Sequence, residues 1–381
     1  MRQLTVAIIG AGIVGASCAY YLAKRGARVV VLERAGQPAT GSTAKSAAGI
    51  RHQFSHPENV RMSLYSARVF ETFETLTDYD AGYRKVGYLF LLPETLLGAW
   101  AEQRRMQQAL GAKVEGLSDQ ETAQRFPYLN LAGIAGSSYG AEDGVVDPHA
   151  VTLGFLSAAK RLGATVLLGH EVLALERRAG AWRLLTPHRT FQTDVVVNAA
   201  GAFSGELGRR AGLKIPVAPY RRNIYATAPV ADFAHPTPLI IDMTTGVYLR
   251  SEGARFIFGL SNPAEPAGDN QAVDWAWMAH TLELALPRFP FLETAGLDRR
   301  ACWAGLYEIT PDHLPILGRM PGAEGFYNAC GFSGHGVQHA PATGLILSEE
   351  IIDGQCHSFD IGDFRFERFA EASQRHEANI V

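Results

Sequence analysis

Gly10, Gly12 and Gly15 stand in G-x-G-x-x-G spacing between an apolar run, Leu4 to Ile9, and a helix-like stretch, Ala16 to Arg25. Gly26 stops that stretch, and a second apolar run ends at Glu33, 23 residues after Gly10 and 18 after Gly15. Strand, glycine turn, helix and strand in this order form a unit that binds a dinucleotide, and each residue type has a task in it. Gly10 permits the tight turn, Gly12 lets the backbone approach a pyrophosphate, and Gly15 lets helix and strand pack closely. The helix N-terminus favours the diphosphate charge. Glu33 stands where a carboxylate accepts hydrogen bonds from ribose hydroxyls. A glycine triplet alone would mean little; here strand, helix, second strand and acid are all in register. The chain is expected to bind an adenine dinucleotide.

Only one such fingerprint occurs, whereas an enzyme drawing electrons from NAD(P)H into a flavin normally carries two, so a pyridine-nucleotide reductase is disfavoured. Two further segments point to FAD. Gly41-Ser-Thr-Ala-Lys-Ser-Ala-Ala-Gly-Ile-Arg-His52 is made mostly of small residues and suits a backbone lying against a large flat ring. Gly331-Phe-Ser-Gly-His-Gly336 precedes Val337 to Ile352, which reads as a helix despite Pro341 in its first turns. A glycine-rich helix start offers N–H groups and a positive dipole end, which would favour the negative charge of a reduced flavin.

Composition bounds the rest. The chain has 381 residues, enough for two domains or one with a large insertion. A net charge of −3 without a basic block argues against nucleic acid and anionic membrane surfaces. No apolar run is long enough to span a bilayer, and the first strand starts too early to leave room for a cleaved signal peptide. Cys18, Cys302, Cys330 and Cys356 are far apart and make no C-x-x-C pair, which suits reduced thiols in the cytoplasm and no metal site.

The elements that must position these residues follow from periodicity. His56 to Thr77 reads as one amphipathic helix, Val86 to Leu92 as a strand, and Glu94 to Leu110 as a helix. Ser118-Asp-Gln-Glu121 is a capping box opening a short helix before Pro127. Val151 to Leu162 is helix, Ala164 to Leu168 strand, Glu171 to Glu176 and Trp182 to Thr186 a strand pair, and Asp194 to Asn198 a buried strand. Strands recur at Tyr220 to Ala226, Leu239 to Ile241, Val247 to Arg250 and Phe256 to Gly259, before a helix at Ala272 to Leu286. Strand–helix alternation followed by consecutive strands argues α/β plus α+β. The expected partition is a discontinuous Rossmann-like nucleotide domain, 1–80, 145–215 and 300–381, with 81–144 and 216–299 forming a strand-rich substrate domain over the ring.

Together, Gly-Ala-Gly-Ile-Val-Gly, the Gly41 to Arg51 loop, Val196-Val-Asn-Ala-Ala-Gly-Ala202, Trp303-Ala-Gly-Leu-Tyr-Glu-Ile-Thr-Pro-Asp312 and Gly331-Phe-Ser-Gly-His-Gly336 resemble the D-amino acid oxidase superfamily of FAD enzymes. The likeness is greatest to the branch holding sarcosine oxidase, glycine oxidase and the β subunit of dye-linked L-proline dehydrogenase. It runs nearly end to end and implies oxidation of an amino acid or amine C–N bond to an imine that water hydrolyses. It also implies cofactor contacts at Gly10, Gly12, Ile13, Val14, Gly15, Glu33, Arg34, Ser42, Thr43, Ala48, Gly49, Val172, Ala200, Gly201, Gly305, Gly334, Gly336, Val337 and Gln338. Arg51 falls where the family holds the substrate carboxylate, a task that suits a rigid guanidinium fork that stays protonated. The other reading of Arg51 is a surface arginine or a phosphate contact. Tyr248 would project from the covering sheet as a second hydrogen-bond donor, or else be a core tyrosine. His335 matches the active-site histidine between two glycines, or is a turn histidine satisfied by backbone. Thr310-Pro-Asp312 reads as an architectural turn.

Three departures bear on the chemistry. Gln338 replaces a lysine that grips the carboxylate in sarcosine oxidase, and Ile257 replaces one that helps oxygen accept electrons. Oxygen reduction begins with superoxide, which a fixed cation stabilises; its loss implies a dehydrogenase or slow oxidase that passes electrons to a dye, quinone or partner protein. Gly305 stands at the flavin-linking cysteine, so the FAD is expected to be non-covalent, with Cys302 in a packing role. Lys45 and His52 are polar groups near the ring without an assigned role. A 2-hydroxy acid dehydrogenase and a catalytically silent scaffold or assembly factor are the other functions open to this fold. Oligomerisation is also open.

Overall fold

The computed structural model describes residues 3–230, 233, 237–370 and 376–379; the ends of the first and last expected domain pieces, and part of 216–299, lie outside them. Strand β1, Thr5–Ile9, helix α1, Ile13–Lys24, and strand β2, Arg28–Leu32, follow one another as the sequence predicts. β1 is central in a six-stranded sheet ordered Ile316–Arg319, Phe326–Cys330, Val195–Asn198, β1, β2, Thr165–Leu167. All neighbours are parallel except the first pair. In β1, Val6, Ala7 and Ile8 are fully buried, as expected of a parallel strand covered on both faces. Because β2 lies on one side of β1 and Val195–Asn198 on the other, the chain reverses its winding at the carboxyl end of β1. Open α/β sheets bind ligands at such a switch point.

The carboxy-terminal helix, Gly336–Ile352, packs on α1. A Cβ on Gly344 would lie 2.3 Å from Ser17 Oγ, so this crossing depends on the missing side chain. Similarly, a Cβ on Gly15 would lie 2.0 Å from the Gly10 carbonyl oxygen. Gly10 itself has φ +109, a conformation favouring glycine.

The second large sheet has eight strands, ordered Trp303–Ile309, Ala218–Ala226, Arg255–Gly259, Tyr248–Glu252, Leu239–Asp242, Tyr88–Leu92, Gly136–Gly140, Val114–Ser118. It is antiparallel apart from the Leu239–Asp242 and Tyr88–Leu92 pair. Trp303–Ile309 hydrogen-bonds along Ala218–Ala226 over seven residue pairs, so the first strand after residue 300 runs in this sheet. A mostly parallel sheet with helices and a mostly antiparallel sheet make up the expected α/β plus α+β architecture.

His56 to Thr77 is two helices, Pro57–Glu71 and Phe73–Thr77. At Thr72 the backbone leaves the helical region with φ −112, and the turn delivers Phe73 edge-on to Phe155 at 4.9 Å. The expected strand pair near 171–186 is shifted to Ala174–Arg178 and Ala181–Leu185, joined through Ala179 and Gly180, both with positive φ. That two-residue turn sets the hairpin register. The capping box at Ser118 is present, with Ser118 Oγ accepting from Glu121 N–H.

Candidate active site

One cavity opens at the carboxyl ends of β1, β2, Val195–Asn198 and Phe326–Cys330 and extends beneath the eight-stranded sheet. Its lining includes Gly10, Gly12, Ile13, Val14, Glu33, Arg34, Ser42, Thr43, Val172, Ala200, Gly201, Tyr248, Gly305, Gly334, Gly336 and Val337. Elements far apart in sequence thus meet around one volume.

At the β1 end, Glu33 accepts hydrogen bonds from the Ala11 N–H at 2.8 Å and the Ala35 N–H at 2.9 Å. These bonds hold its carboxylate beside the glycine turn. The Arg34 guanidinium lies 3.8 Å from the centre of the Phe203 ring, a flat cation–π surface at the cavity wall. The N-cap of α1, Gly12, has no side chain to cap the first turn; Thr43 Oγ1 from the small-residue loop accepts the Ile13 N–H at 3.1 Å, and a Cβ on Gly12 would crowd that hydroxyl at 3.2 Å. A glycine cradle, an open helix start and an anchored acid fit the adenosine diphosphate half of FAD.

The far end is built from the small-residue loop and the eight-stranded sheet. Ser42–Lys45 forms a short 3-10 turn tied to the sheet by Ser42 Oγ donating to Leu306 O at 2.6 Å and Trp303 Nε1 donating to Lys45 O at 3.0 Å. A Cβ on Gly305 would meet the Lys45 side chain at 2.8 Å, so sheet and loop come together here because residue 305 lacks one. Lys45 lines the cavity and bonds Gln271; partial burial pulls its ammonium below its usual pKa. Around Gly331–Gly336, Gly334 has φ +101, and a Cβ there would strike the Tyr307 ring at 2.5 Å.

Arg51, His335, Gln338, Ala48 and Gly49 do not line this cavity; they sit behind its wall. Arg51 is 2% exposed. Its guanidinium donates to Gln53 O at 3.0 Å and to the Asn379 carbonyl, and meets His335 Nε2 at 2.9 Å. Gln338 Oε1 accepts the Arg51 backbone N–H at 2.9 Å. Burial, reinforced by Arg51, holds the His335 pKa well below the usual imidazole value, so the ring is neutral and its Nε2 accepts a hydrogen bond from the guanidinium. Ala48 N–H donates to Ser46 Oγ at 2.9 Å, and Gly49 pairs with Val145. Gly15 lies behind the glycine turn in the packing role expected of it.

His52 pairs with Asp143, Nδ1 to Oδ1, at 2.6 Å in the interior. Asp312 is held by Arg368 at 2.6 Å and Thr310 Oγ1 donates to Leu314 O at 2.8 Å, which makes this turn structural. Cys302 Sγ donates to Asp298 O and accepts from Ala226 N–H, both at 3.3 Å. Ile257 is fully buried beside Ile224, Ala226 and Trp303.

Among the cavity residues that sequence reasoning did not assign to the site are Arg222, Phe203, Tyr307 and Glu308. Arg222 had a signal in the alternation of Tyr220 to Ala226, where every second residue shares one face. Glu308 accepts the Gly331 N–H at 2.9 Å, yet burial outweighs that bond and pushes its carboxyl up to about 7. Tyr248 is likewise pushed up by desolvation, so its hydroxyl stays protonated as a donor.

The family model for FAD-dependent oxidoreductases matches residues 5–350. FAD-dependent oxidoreductase domain-containing protein 1 of Xenopus laevis is 32% identical over all of this chain and 85% of its own. Mitochondrial sarcosine dehydrogenase of Mus musculus is 30% identical over 94% of this chain but 41% of its own length. Among solved structures, L-proline dehydrogenase from P. horikoshii superposes with a TM-score of 0.90 at 28% identity, covering 98% of this chain and 100% of that one. The chain belongs to the FAD-dependent oxidoreductase family, and FAD is its cofactor.

Proposed function

We propose that the protein oxidises the C–N bond of an amino acid or secondary amine to an imine, which water hydrolyses, acting as a dehydrogenase or slow oxidase. The observation that carries this reading is the continuity of one cavity from the Gly10–Glu33 cradle to a wall that includes Arg222, Tyr248 and Tyr307. That wall offers a cation and two phenols but no cysteine nucleophile, which suits a reaction needing only a positioned substrate. The similarity to L-proline dehydrogenase and sarcosine dehydrogenase supports the same chemistry. FAD, when bound, would take the Cα hydrogen with its electron pair, and the N–H proton of the amine would pass to water.

The chain's own residues have separate tasks in this reading. Tyr248 donates a hydrogen bond to the bound substrate. Ile224 at the cavity wall and Ile257 behind it exclude water. The Arg51–His335 pair fixes the segment between Gly49 and Phe54 against the carboxy-terminal helix. Ile257 itself brings no cation to oxygen, which favours a dye, quinone or protein as electron acceptor. The four free thiols suit a reducing compartment such as the cytoplasm.

Anaerobic addition of a panel of amino acids, secondary amines and 2-hydroxy acids to the yellow holoprotein tests this. Bleaching by an amine or amino acid is the expected result. Bleaching by a hydroxy acid alone would change the reaction, and no bleaching by any compound would favour a scaffold role.

A further inference from the structure

Residues 260–274 join the strand Arg255–Gly259 to the helix Trp275–Arg288 with no helix or strand of their own. A connection this long in a compact fold is either disordered or functional, and this one is tied down at both ends. Trp277 Nε1 donates to Leu260 O at 2.9 Å, and Asn223 Oδ1 accepts the Asp274 N–H at 2.9 Å. The Arg221 guanidinium, on strand Ala218–Ala226, clasps the two halves to each other. Its Nε and Nη2 donate to the two Glu265 carboxylate oxygens at 3.0 and 3.1 Å. Nη2 also donates to Asp274 Oδ2 at 3.1 Å, and Nη1 to Ala272 O at 2.9 Å. Glu265 is 8% exposed, so this fork is the inward anchor of the loop. A chain whose ends are held together while its middle stands out is an Ω-loop.

The middle is held far less firmly. Residues 266–272 are all exposed. The Gly268 N–H donates to Pro219 O at 2.9 Å, and the Ala272 N–H turns back to Asn270 Oδ1 at 2.9 Å, a bond within the loop. Gln271 is the residue of this loop that lines the cavity, and its Oε1 accepts a hydrogen bond from the Lys45 ammonium. Lys45 belongs to the Ser42–Lys45 turn, whose bonds to the strand Trp303–Ile309 run from Ser42 to Leu306 O and from Trp303 to Lys45 O. Each of those two has a main-chain carbonyl as acceptor. The Lys45–Gln271 bond joins two long side chains in partial contact with solvent, so water readily replaces either partner. Cavity, cofactor turn and Ω-loop therefore meet at the contact that opens most easily.

We propose that the loop 260–274 is the gate through which FAD enters and leaves, hinged on the Arg221–Glu265 fork and latched by the Gln271–Lys45 bond. The proposal depends on a dissociable FAD and not on which substrate is oxidised. A latch of this kind stabilises the closed form whether or not the cofactor is inside, so breaking it speeds passage in both directions and leaves affinity alone. Flavin fluorescence in stopped flow gives the association rate on the FAD-free protein, and its recovery after dilution of the loaded protein gives the release rate. For Gln271→Ala, a change at an exposed position, both rates should rise about 3- to 10-fold, the weight of one hydrogen bond. The FAD Kd should stay within about twofold. Lys45→Met should act alike, and the double variant should be no faster than either single one, because the two residues make one contact. Unchanged rates overturn the proposal. Faster release with unchanged association would make Gln271 an FAD contact and overturn it equally, as would additive effects of the two substitutions. Unaltered FAD kinetics with faster anaerobic bleaching by an amine would assign the loop to substrate entry instead.

Discussion

Glu308 is the residue whose environment most changes its chemistry. Glu308 lines the cavity and its carboxylate accepts the Gly331 N–H, but burial dominates and raises its pKa from 4.5 to about 7. A carboxyl whose folded pKa lies above its unfolded value binds its proton more tightly when folded. The stabilisation is therefore complete below about pH 4.5 and is lost as the pH rises through about 7. We expect the melting temperature of the FAD-free protein to fall over this window and Glu308→Gln to flatten the fall. A parallel slope in both proteins would assign the pH dependence to other groups. Sequence reasoning had no route to this residue, because a raised carboxyl pKa depends on what folds around it. The glycine fingerprint and Glu33 were legible, since their roles follow from spacing along one continuous segment. Arg51 marks a limit of local pattern: its hydrogen-bond partners, Asn379 among them, lie up to 328 residues away.

At the scale of elements, short-range signals were read well and tertiary ones poorly. β1, α1, β2 and the capping box at Ser118 follow from local pattern. Gly136–Gly140 was missed because Gly-Ser-Ser-Tyr-Gly has weak β propensity; it is a strand because it lies between Tyr88–Leu92 and Val114–Ser118. There its small residues fit, and a Cβ on Gly136 would lie 2.9 Å from Leu117 O. The carboxy-terminal segment 376–379 was also unreadable. Glu377 is 1% exposed, and its carboxylate accepts from Ser55 N–H and Oγ–H, His56 N–H and Asn59 Nδ2. This single side chain therefore caps the entry to helix Pro57–Glu71 from the far end of the chain. Glu377→Ala would leave several buried donors without an acceptor and should cost about 3 kcal/mol or more, read as a lower urea midpoint. An unchanged midpoint would mean that water replaces the carboxylate there.

For the whole molecule, the question is how two sheets with separate cores act together. Their seam runs along Trp303–Ile309, which belongs to the eight-stranded sheet yet contacts both cofactor loops. Ser42 bonds Leu306, Trp303 bonds Lys45, Gly331 bonds the Glu308 carboxylate, and the Ser333 N–H donates to Glu308 O at 3.1 Å. These are direct protein contacts, so the sheets are coupled without FAD. The cofactor then adds to the coupling by mass action, stabilising the folded state by about 2.7 kcal/mol at a free concentration of about 100 times its Kd. Calorimetry of the FAD-free protein should therefore give one cooperative transition, and added FAD should move all of it upward with the logarithm of its concentration. Two transitions, with FAD moving only the one belonging to the six-stranded sheet, would mean that the seam is too weak to couple the sheets. Substrate closure would then have to be a motion of one sheet against the other rather than a property of a single rigid cavity.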